Sequence, residues 1–394
     1  MFDKRSPGSL VPIQGTHPTL GAWAYSAFVP DPLAGDAPSL SGSTYLAVGN
    51  ARAALAALDS TTRQLPNPTL LRSPTLRQEA QSTSELEGTY SPLRDVLTAD
   101  EDDPDTAELV EVLNYVRMAN AGFDAIARGQ GLSPAFLSEL QGVLMRGSPL
   151  HAVSGRLRDT QVVIGVRSDA DLTGMPIEAA RFVPAPPGIA LETGVSDLIA
   201  WMRADHSDRI DPVVAAAMSH YQFETLHPFR DGNGRLGRYL IVVQLLTSGV
   251  LSEPTLTVSP WFEARRAEYY DRLLRVSAAG DWDGFVSFFA EGLRSAADLT
   301  RRQMVALVAV QGELKDRLRG AGVRAETTHA VVDFAIANPS FTVRSVERAL
   351  GLSYQRANKI IRQLVELDIL MELDPTAYRR RFVAPRVIDL LTAR

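Results

Sequence analysis

Twelve positions, His227-Pro228-Phe229-Arg230-Asp231-Gly232-Asn233-Gly234-Arg235-Leu236-Gly237-Arg238, bring together an imidazole, a carboxylate, closely spaced glycines and two arginines. Pro228 disfavours helical geometry at the residue before it, so a helix ending near Thr225 stops there and His227 is expected in an extended conformation. Asp231-Gly232-Asn233-Gly234 is a turn composition. It leads into Leu236, Leu240, Val243 and Leu246, whose spacing predicts a buried helix with the glycines at its start. The first N–H groups of a helix lack internal partners and carry partial positive charge, which suits an anion. Arg235 and Arg238 add two guanidinium forks of the kind that grip phosphate. Asp231 is a hard oxygen ligand suited to Mg²⁺ beside phosphates, and His227 is the natural proton acceptor near neutral pH. The residues therefore describe a polyphosphate cradle with a metal ligand and a general base. The order is not that of a Walker A loop, which needs Gly-Lys-Ser/Thr.

His227-Pro228-Phe229-x-Asp231-Gly232-Asn233-Gly234-Arg235-x-x-Arg238 resembles the full Fic motif, with a match at every fixed position. The resemblance implies a protein adenylyltransferase that moves AMP from ATP to a Tyr, Thr or Ser hydroxyl of a protein. It implies His227 as the catalytic base, Asp231 as the ligand of a Mg²⁺ cofactor, and Gly232, Asn233, Gly234, Arg235, Leu236, Gly237 and Arg238 as the ATP site, with the γ-phosphate on Arg238. A lysine in place of Gly234 is associated with a phosphotransferase subgroup, so the glycine points to AMP transfer.

The elements that position this motif begin upstream. Ser73-Pro74 reads as an N-cap with proline at the first helical position, and Gly88 lies past the end, which predicts a helix over Pro74 to Glu87. Its composition is polar enough that periodicity alone describes a solvated surface helix. Thr83-x-x-x-Glu87-Gly88, however, resembles the Fic inhibitory motif, in which a glutamate reaches into the nucleotide site. A carboxylate on Arg238 would occupy a guanidinium otherwise open to the γ-phosphate. Self-inhibition by Glu87 is the expectation, and the resemblance also admits hydrolytic removal of AMP. In the segment Gly155 to Gly165, Val162, Val163 and Ile164 are β-branched and bounded by turn residues, predicting a short strand. With Gly165 it resembles the Fic flap, which holds the target segment by strand addition; a simple edge hairpin is the alternative. The Pro184-Ala185-Pro186-Pro187 run departs from the family's usual prolines, which bears on target choice. Tyr269 and Tyr270 match the pair that approaches adenine and ribose in the family. His220 lacks the four-residue spacing of a zinc pair with His227 and is expected packed or at the surface. Glu224 either orients His227 or caps the turn.

The frame around these elements is ordinary. The chain has 394 residues, 45% hydrophobic composition, a net charge of −6 and no cysteine. That excludes disulfides and thiolate metal sites, argues against bulk electrostatic nucleic-acid binding, and sets a cytoplasmic location without membrane spans as the expectation. Only three of its 40 basic residues are lysines. We divide it into an N-terminal arm and inhibitory-helix region (1–105), a catalytic domain (106–320) and a C-terminal domain (321–394). Residues 1 to about 30, rich in Pro, Gly and Ser, are expected to be irregular. Helices are expected from Gly49 to Leu58, before the Pro66-Asn67-Pro68 break, at Leu109 to Phe123, from Ser133-Pro134 onward, from Asp197 to Asp205, from Pro212 to Thr225 and from about Ala290 to Leu318. Asp100 to Asp105 reads as a loop. Past Gly320 to Gly322, helices at Thr328 to Ala337, Val343 to Leu350 and Tyr354 to Leu367, capped by Thr342 and Ser353, precede a two-stranded tail turning at Asp374-Pro375.

This tail unit resembles a winged helix-turn-helix. Arg356, Lys359, Arg362 and Arg379-Arg380-Arg381 could meet phosphates, yet eleven basic against eight acidic residues from Arg324 to Arg394 is a small excess. DNA binding and a protein-docking or homodimer role stand level. The fold class expected is an all-α Fic core with a β-hairpin flap plus this winged helix. The rival to an AMP transferase is a DNA-binding regulator with a nucleotide-sensing site.

Overall fold

The computed structural model describes residues 2–64, 69–101, 104–170, 174–373 and 380–393. Two long helices run side by side along the molecule: α1 (Gly42–Gln64) and the 39-residue α12 (Trp282–Gly320). Around them the chain places α2 (Thr69–Leu86), α3 (Leu93–Thr98), α4 (Ala107–Ala127), α5 (Pro134–Leu144), α6 (Pro176–Ala179), α7 (Ile189–Arg203), α8 (Pro212–Leu226), α9 (Asn233–Thr247), α10 (Ser259–Glu263) and α11 (Arg266–Ala279). At the centre lie α8 and α9, paired with each other and buried on nearly every face. Apolar residues lie on every face of both, as in a helix with no solvent side, and the buried polar ones, His220, Asn233, Arg235 and Arg238 among them, belong to the site or its support. Asp211 caps α8 by accepting from Val213 N–H, and Ser133 caps α5 by accepting from Phe136 N–H. Among the described residues no helix is long and apolar enough to cross a membrane.

Several boundaries differ from expectation. Residues 8–30 are not irregular: β1 (Gly8–His17) and β2 (Gly21–Pro30) pair antiparallel as a hairpin. Val11, Ile13, Trp23, Tyr25 and Ala27 share one face and pack on Ile177, Ala180 and Val183. The alternation was masked by the glycines and prolines between these residues. Helix α1 is longer than Gly49 to Leu58. Helix α7 begins at Ile189 because Gly188, at φ 95°, turns the chain directly out of Pro186-Pro187. The expected Pro66-Asn67-Pro68 break lies outside the described residues, as does part of the Asp100 to Asp105 loop.

Helix α2 starts at Thr69 and carries Pro74 inside it, so Ser73 is not its cap. The lost donor is tolerated because packing holds the helix beyond the proline, where Leu76 and Ala80 join the apolar core and the polar residues turn inward. Glu79, 3% exposed, accepts from Ser259 N–H and Oγ–H. Arg77 donates to the Val96 carbonyl and pairs with Glu101. A helix that composition alone places at the surface is thus wedged between α4, α10 and the C-terminal unit.

The flap strand is also shifted. Strand β3 is Ile164–Val166, paired with β4 (Ala180–Phe182) in the register Ile164↔Phe182 and Val166↔Ala180. Val162 and Val163 precede it, because Gln161 donates its side-chain amide to the Val162 and Pro184 carbonyls and replaces the ladder there. The β1–β2 hairpin is a separate sheet that touches the flap at a single bridge, where Phe28 N–H donates to Val183 O at 2.9 Å.

The C-terminal unit runs α13 (Glu326–Ala337), β5 (Ser340–Thr342), α14 (Val343–Leu350), α15 (Tyr354–Glu366), β6 (Met371–Glu372), β7 (Arg381–Val383) and α16 (Pro385–Thr392), with strand order β5-β7-β6. Thr342 and Ser353 cap their helices. The expected Asp374-Pro375 turn and Arg379 lie outside the described residues. Arg381 is not offered to solvent: it pairs with Asp100 at 2.7 Å and donates to the Ala99 carbonyl. Arg380 pairs with Glu372.

The hairpin face is testable. Ala27 is fully buried against the flap, so Ala27→Asp should detach the hairpin and speed tryptic cleavage at Arg167 and Arg181 by about tenfold, with the main thermal transition in place. Unchanged cleavage would contradict the packing.

Candidate active site

The chemistry-bearing residues converge at the junction of α8 and α9. His227 is the C-cap of α8 and is left-handed, at φ 50° and ψ 60°, rather than extended. Proline excludes the right-handed helical region for the preceding residue, and the left-handed region satisfies that constraint while letting His227 N–H still donate to Phe223 O at 3.0 Å. The loop that follows is closed by Asn233, whose Oδ1 accepts from Phe229 N–H at 2.8 Å and whose Nδ2–H donates to Phe229 O at 2.9 Å. Gly232, at φ 81°, makes the turn into α9. The Asn233, Gly234 and Arg235 amides therefore open the helix with no carbonyl one turn behind them.

In that opening sits a carboxylate of the chain itself. Glu87, at the end of α2, accepts from Arg238 Nη2 at 2.6 Å. Thr83 supports the same guanidinium, its Oγ1 accepting from Nε at 2.7 Å and its carbonyl from Nη2 at 3.1 Å. A Cβ on Gly234 would lie 2.0 Å from Glu87 Oε1, so only glycine leaves the carboxylate room. Gly88, at φ 100°, ends the helix just past Glu87. Burial pushes the Glu87 carboxyl up, but the Arg238 guanidinium, with Arg235 and His227, holds it below the usual range. Arg238 is fully buried; desolvation pulls its pKa down, but Glu87 together with Tyr269, Glu224 and Tyr270 raises it overall.

Glu87, Gly234 and His227 line a cavity of about 470 Å³ together with Ile164, Gly165 and Tyr270, a size suited to a small ligand; Arg238 is not itself in the wall and meets the cavity only through Glu87. His227 faces it. Its Nδ1–H donates to the Glu224 carbonyl at 3.4 Å, which leaves Nε2 as the lone-pair nitrogen. Burial lowers the imidazole to about 4, so it is neutral at physiological pH and able to accept a proton. The Glu224 backbone, not its side chain, orients the ring. The Glu224 carboxyl is instead buried, Oε1 has no hydrogen-bond partner, and burial together with nearby Glu87 raises it to about 8 against the pull of Arg238.

Not every expected residue faces the cavity. Arg235 is turned away, buried between Glu111 and Asp231. Leu236 and Gly237 lie in the body of α9; Gly237 packs against Phe223 and Glu224. Tyr269 is fully buried behind Tyr270, its hydroxyl donating to His220 Nε2 at 2.7 Å while His220 Nδ1–H donates to Gly237 O at 3.2 Å. That packing, with desolvation lowering its pKa to about 3, makes His220 a core residue. Asp231 is half-exposed, its Oδ1 taken by Gly232 N–H and Arg235. Among the described residues no group of three or more His, Cys, Asp and Glu could hold a metal alone. One accessible carboxylate still fits a cation that draws most of its ligands from phosphates and water. Two residues without an assigned role are central: Glu111, which anchors Arg235 and accepts from Thr89 Oγ1–H, and Arg158, whose backbone-only partners leave no sequence signal.

A model described as "Fic/DOC family" matches residues 131–245, and one described as "Fic/DOC family N-terminal" matches residues 45–124. The chain carries a Fic domain and the family's N-terminal region. The "Protein adenylyltransferase fic-1" of Caenorhabditis elegans is 34% identical over 149 residues, covering 38% of this chain and 24% of the relative. The "Protein adenylyltransferase Fic" of Culex quinquefasciatus is 33% identical over 145 residues, again 24% of its length. The match thus spans about a quarter of these curated relatives. A Fic family protein from Desulfovibrio desulfuricans G20 superposes with a TM-score of 0.54 at 21% identity, covering 89% of this chain and 98% of that one, a likeness of fold. The β1–β2 hairpin and everything after residue 245 lie outside the two matched regions.

Two outcomes follow for the Fic site. Removing one partner of a buried ion pair strands the other, at about 3 kcal/mol where the carboxylate is part-exposed. Glu87→Gly should therefore lower Tm, and ATP should restore it while leaving the wild-type Tm nearly unmoved; an ATP response of equal size in both proteins would contradict the pair's role. Folded Glu224 keeps its proton up to about pH 8, whereas the unfolded chain releases it near 4.5. The folded state then binds more protons across that window, and stability falls as pH rises through it. Glu224→Gln should gain stability over wild type between pH 4.5 and 8; a pH-independent difference would contradict the burial of an ionisable carboxyl.

Proposed function

We propose that this chain is a protein adenylyltransferase that moves AMP from ATP to a Tyr, Thr or Ser hydroxyl of a protein, held off by its own Glu87. The observation that carries the reading is one cavity walled by a neutral imidazole, Gly234 at the start of α9 and the Glu87 carboxylate, which a buried arginine grips from behind the wall. A carboxylate in that position stands where a phosphate oxygen would be welcome, for the same electrostatic reasons. The names of the curated relatives agree with it.

In this reading the target hydroxyl enters over the flap, along the exposed side of β3 near Val163 and Val166. His227 Nε2 takes its proton as the oxygen forms a bond to the α-phosphorus. The bond from that phosphorus to the bridging oxygen breaks, and pyrophosphate leaves. The Gly234 and Arg235 amides face the phosphates, Arg238 takes the γ-phosphate once Glu87 withdraws, and Tyr270 offers a ring to the nucleoside. Asp231 would hold Mg²⁺, which supplies charge neutralisation on the phosphates when bound. Arg235 acts indirectly, through Asp231. Whether water replaces the hydroxyl acceptor to remove AMP is a further activity of the same site.

We read the C-terminal unit as a winged helix-turn-helix used for docking rather than for DNA. Arg356, Lys359 and Arg362 are exposed on α15, but Arg380 and Arg381, expected to meet phosphates, are paired internally.

Incubation with α-labelled ATP and Mg²⁺, followed by mass spectrometry, tests the proposal. Glu87→Gly should label protein substrate or itself with AMP well above wild type. Adding His227→Ala should reduce that rate by about 10²–10⁴-fold with nucleotide binding retained. Labelling that survives His227→Ala, or that Glu87→Gly does not raise, would overturn it.

A further inference from the structure

A second arginine is buried beside the site without a carboxylate to answer it. Arg158 is 3% exposed, and among the described residues no salt bridge joins it. Its guanidinium donates to four backbone carbonyls: Nε to His227 O at 2.8 Å, Nη2 to Leu226 O at 3.3 Å and to Ala185 O, and Nη1 to Thr160 O at 3.3 Å. Its own backbone N–H donates to Pro228 O at 2.9 Å. Desolvation lowers its pKa to about 10. What holds a cation there is the C-terminal end of α8, where unpaired carbonyls concentrate negative charge.

The four carbonyls belong to two different parts of the site. Leu226 and His227 form the left-handed turn that aims the imidazole, a conformation that a residue other than glycine keeps only where its surroundings impose it. Thr160 and Ala185 are the inner ends of the two flap arms. We propose that Arg158 is the positioning residue for His227, tying the catalytic turn to the flap so that base and target strand share one frame. This rests on the reading of His227 as the base.

The fork geometry is the decisive feature. Lysine keeps the charge but offers a single nitrogen, which cannot reach four carbonyls in one plane. The test uses the full chain carrying Glu87→Gly, with Arg158→Lys and Arg158→Gln added separately. AMP-transfer kcat and KM for ATP, thermal unfolding, and the His227 imidazole resonances by NMR, assigned with His227→Ala, are measured for each. The folded Lys variant should lose kcat by about tenfold to a hundredfold, as a misplacement on the order of 1 Å does, with KM for ATP changed by no more than about twofold. Its His227 resonances should move, and Arg158→Gln should lose more. A loss confined to KM, a kcat equal to the parent's, or unmoved His227 resonances would overturn the proposal. If the Gln variant does not fold, the Lys variant decides alone. If the parent transfers no AMP, the functional reading fails, while the NMR comparison still decides whether Arg158 places the imidazole.

Discussion

Arg238 is a cation fully removed from water, and the rest of the site is arranged around the need to pair it. Glu87 supplies the charge, Thr83 supplies two acceptors, and Nη1 remains without a partner in a pocket that also holds the unpaired Glu224 Oε1. A buried guanidinium left without an anion is costly, so it favours an anion in its place: here its own Glu87 carboxylate, and in the proposed function a phosphate. In that proposal, the alternation would give an inhibitory contact and a nucleotide site from a single side chain. The pairing also explains the glycine at 234, since a Cβ there would fall on the Glu87 carboxylate that Arg238 holds.

The contact is only as firm as the helix that delivers it. Helix α2 is polar, contains a proline and has little apolar surface of its own, yet Thr83 and Ser84 are fully buried. It is held by side-chain bonds to its neighbours: Glu79 to Ser259, Arg77 to Val96 and Glu101, and, from the C-terminal unit, α13 packed along it. Arg381 reaches from β7 to Asp100 and Ala99, just beyond α3. The helix that carries Thr83 and leads to Glu87 is therefore supported by the C-terminal unit, through α13 on α2 and Arg381 beyond α3.

What was legible beforehand follows physical lines. Whereas the Thr83/Glu87 pair was visible only through the family resemblance, the polar composition around it alone describing a surface helix, the helix-start glycines, the imidazole and Asp231 could be read because their chemistry is local and their spacing restricted. Caps at Ser133, Thr342 and Ser353 were legible for the same reason. Three features were not. The left-handed state of His227 and the run of α2 through Pro74 are imposed by tertiary packing against local preference. The β1–β2 hairpin hides its alternation under glycine and proline. Arg235 and Arg238 look equivalent at a spacing of three, but one faces Glu111 and the other Glu87 and Thr83, a difference set by residues more than a hundred positions away.

The central claim is that Glu87 and a polyphosphate compete for one guanidinium. A crystal structure of the Glu87→Gly variant with a non-hydrolysable ATP analogue and Mg²⁺ measures this directly. The account predicts a γ-phosphate oxygen on Arg238 in the space vacated by the Glu87 carboxylate, with the α-phosphorus beside His227 Nε2. A nucleotide bound elsewhere, with Arg238 unpaired or re-paired to another side chain, would contradict it.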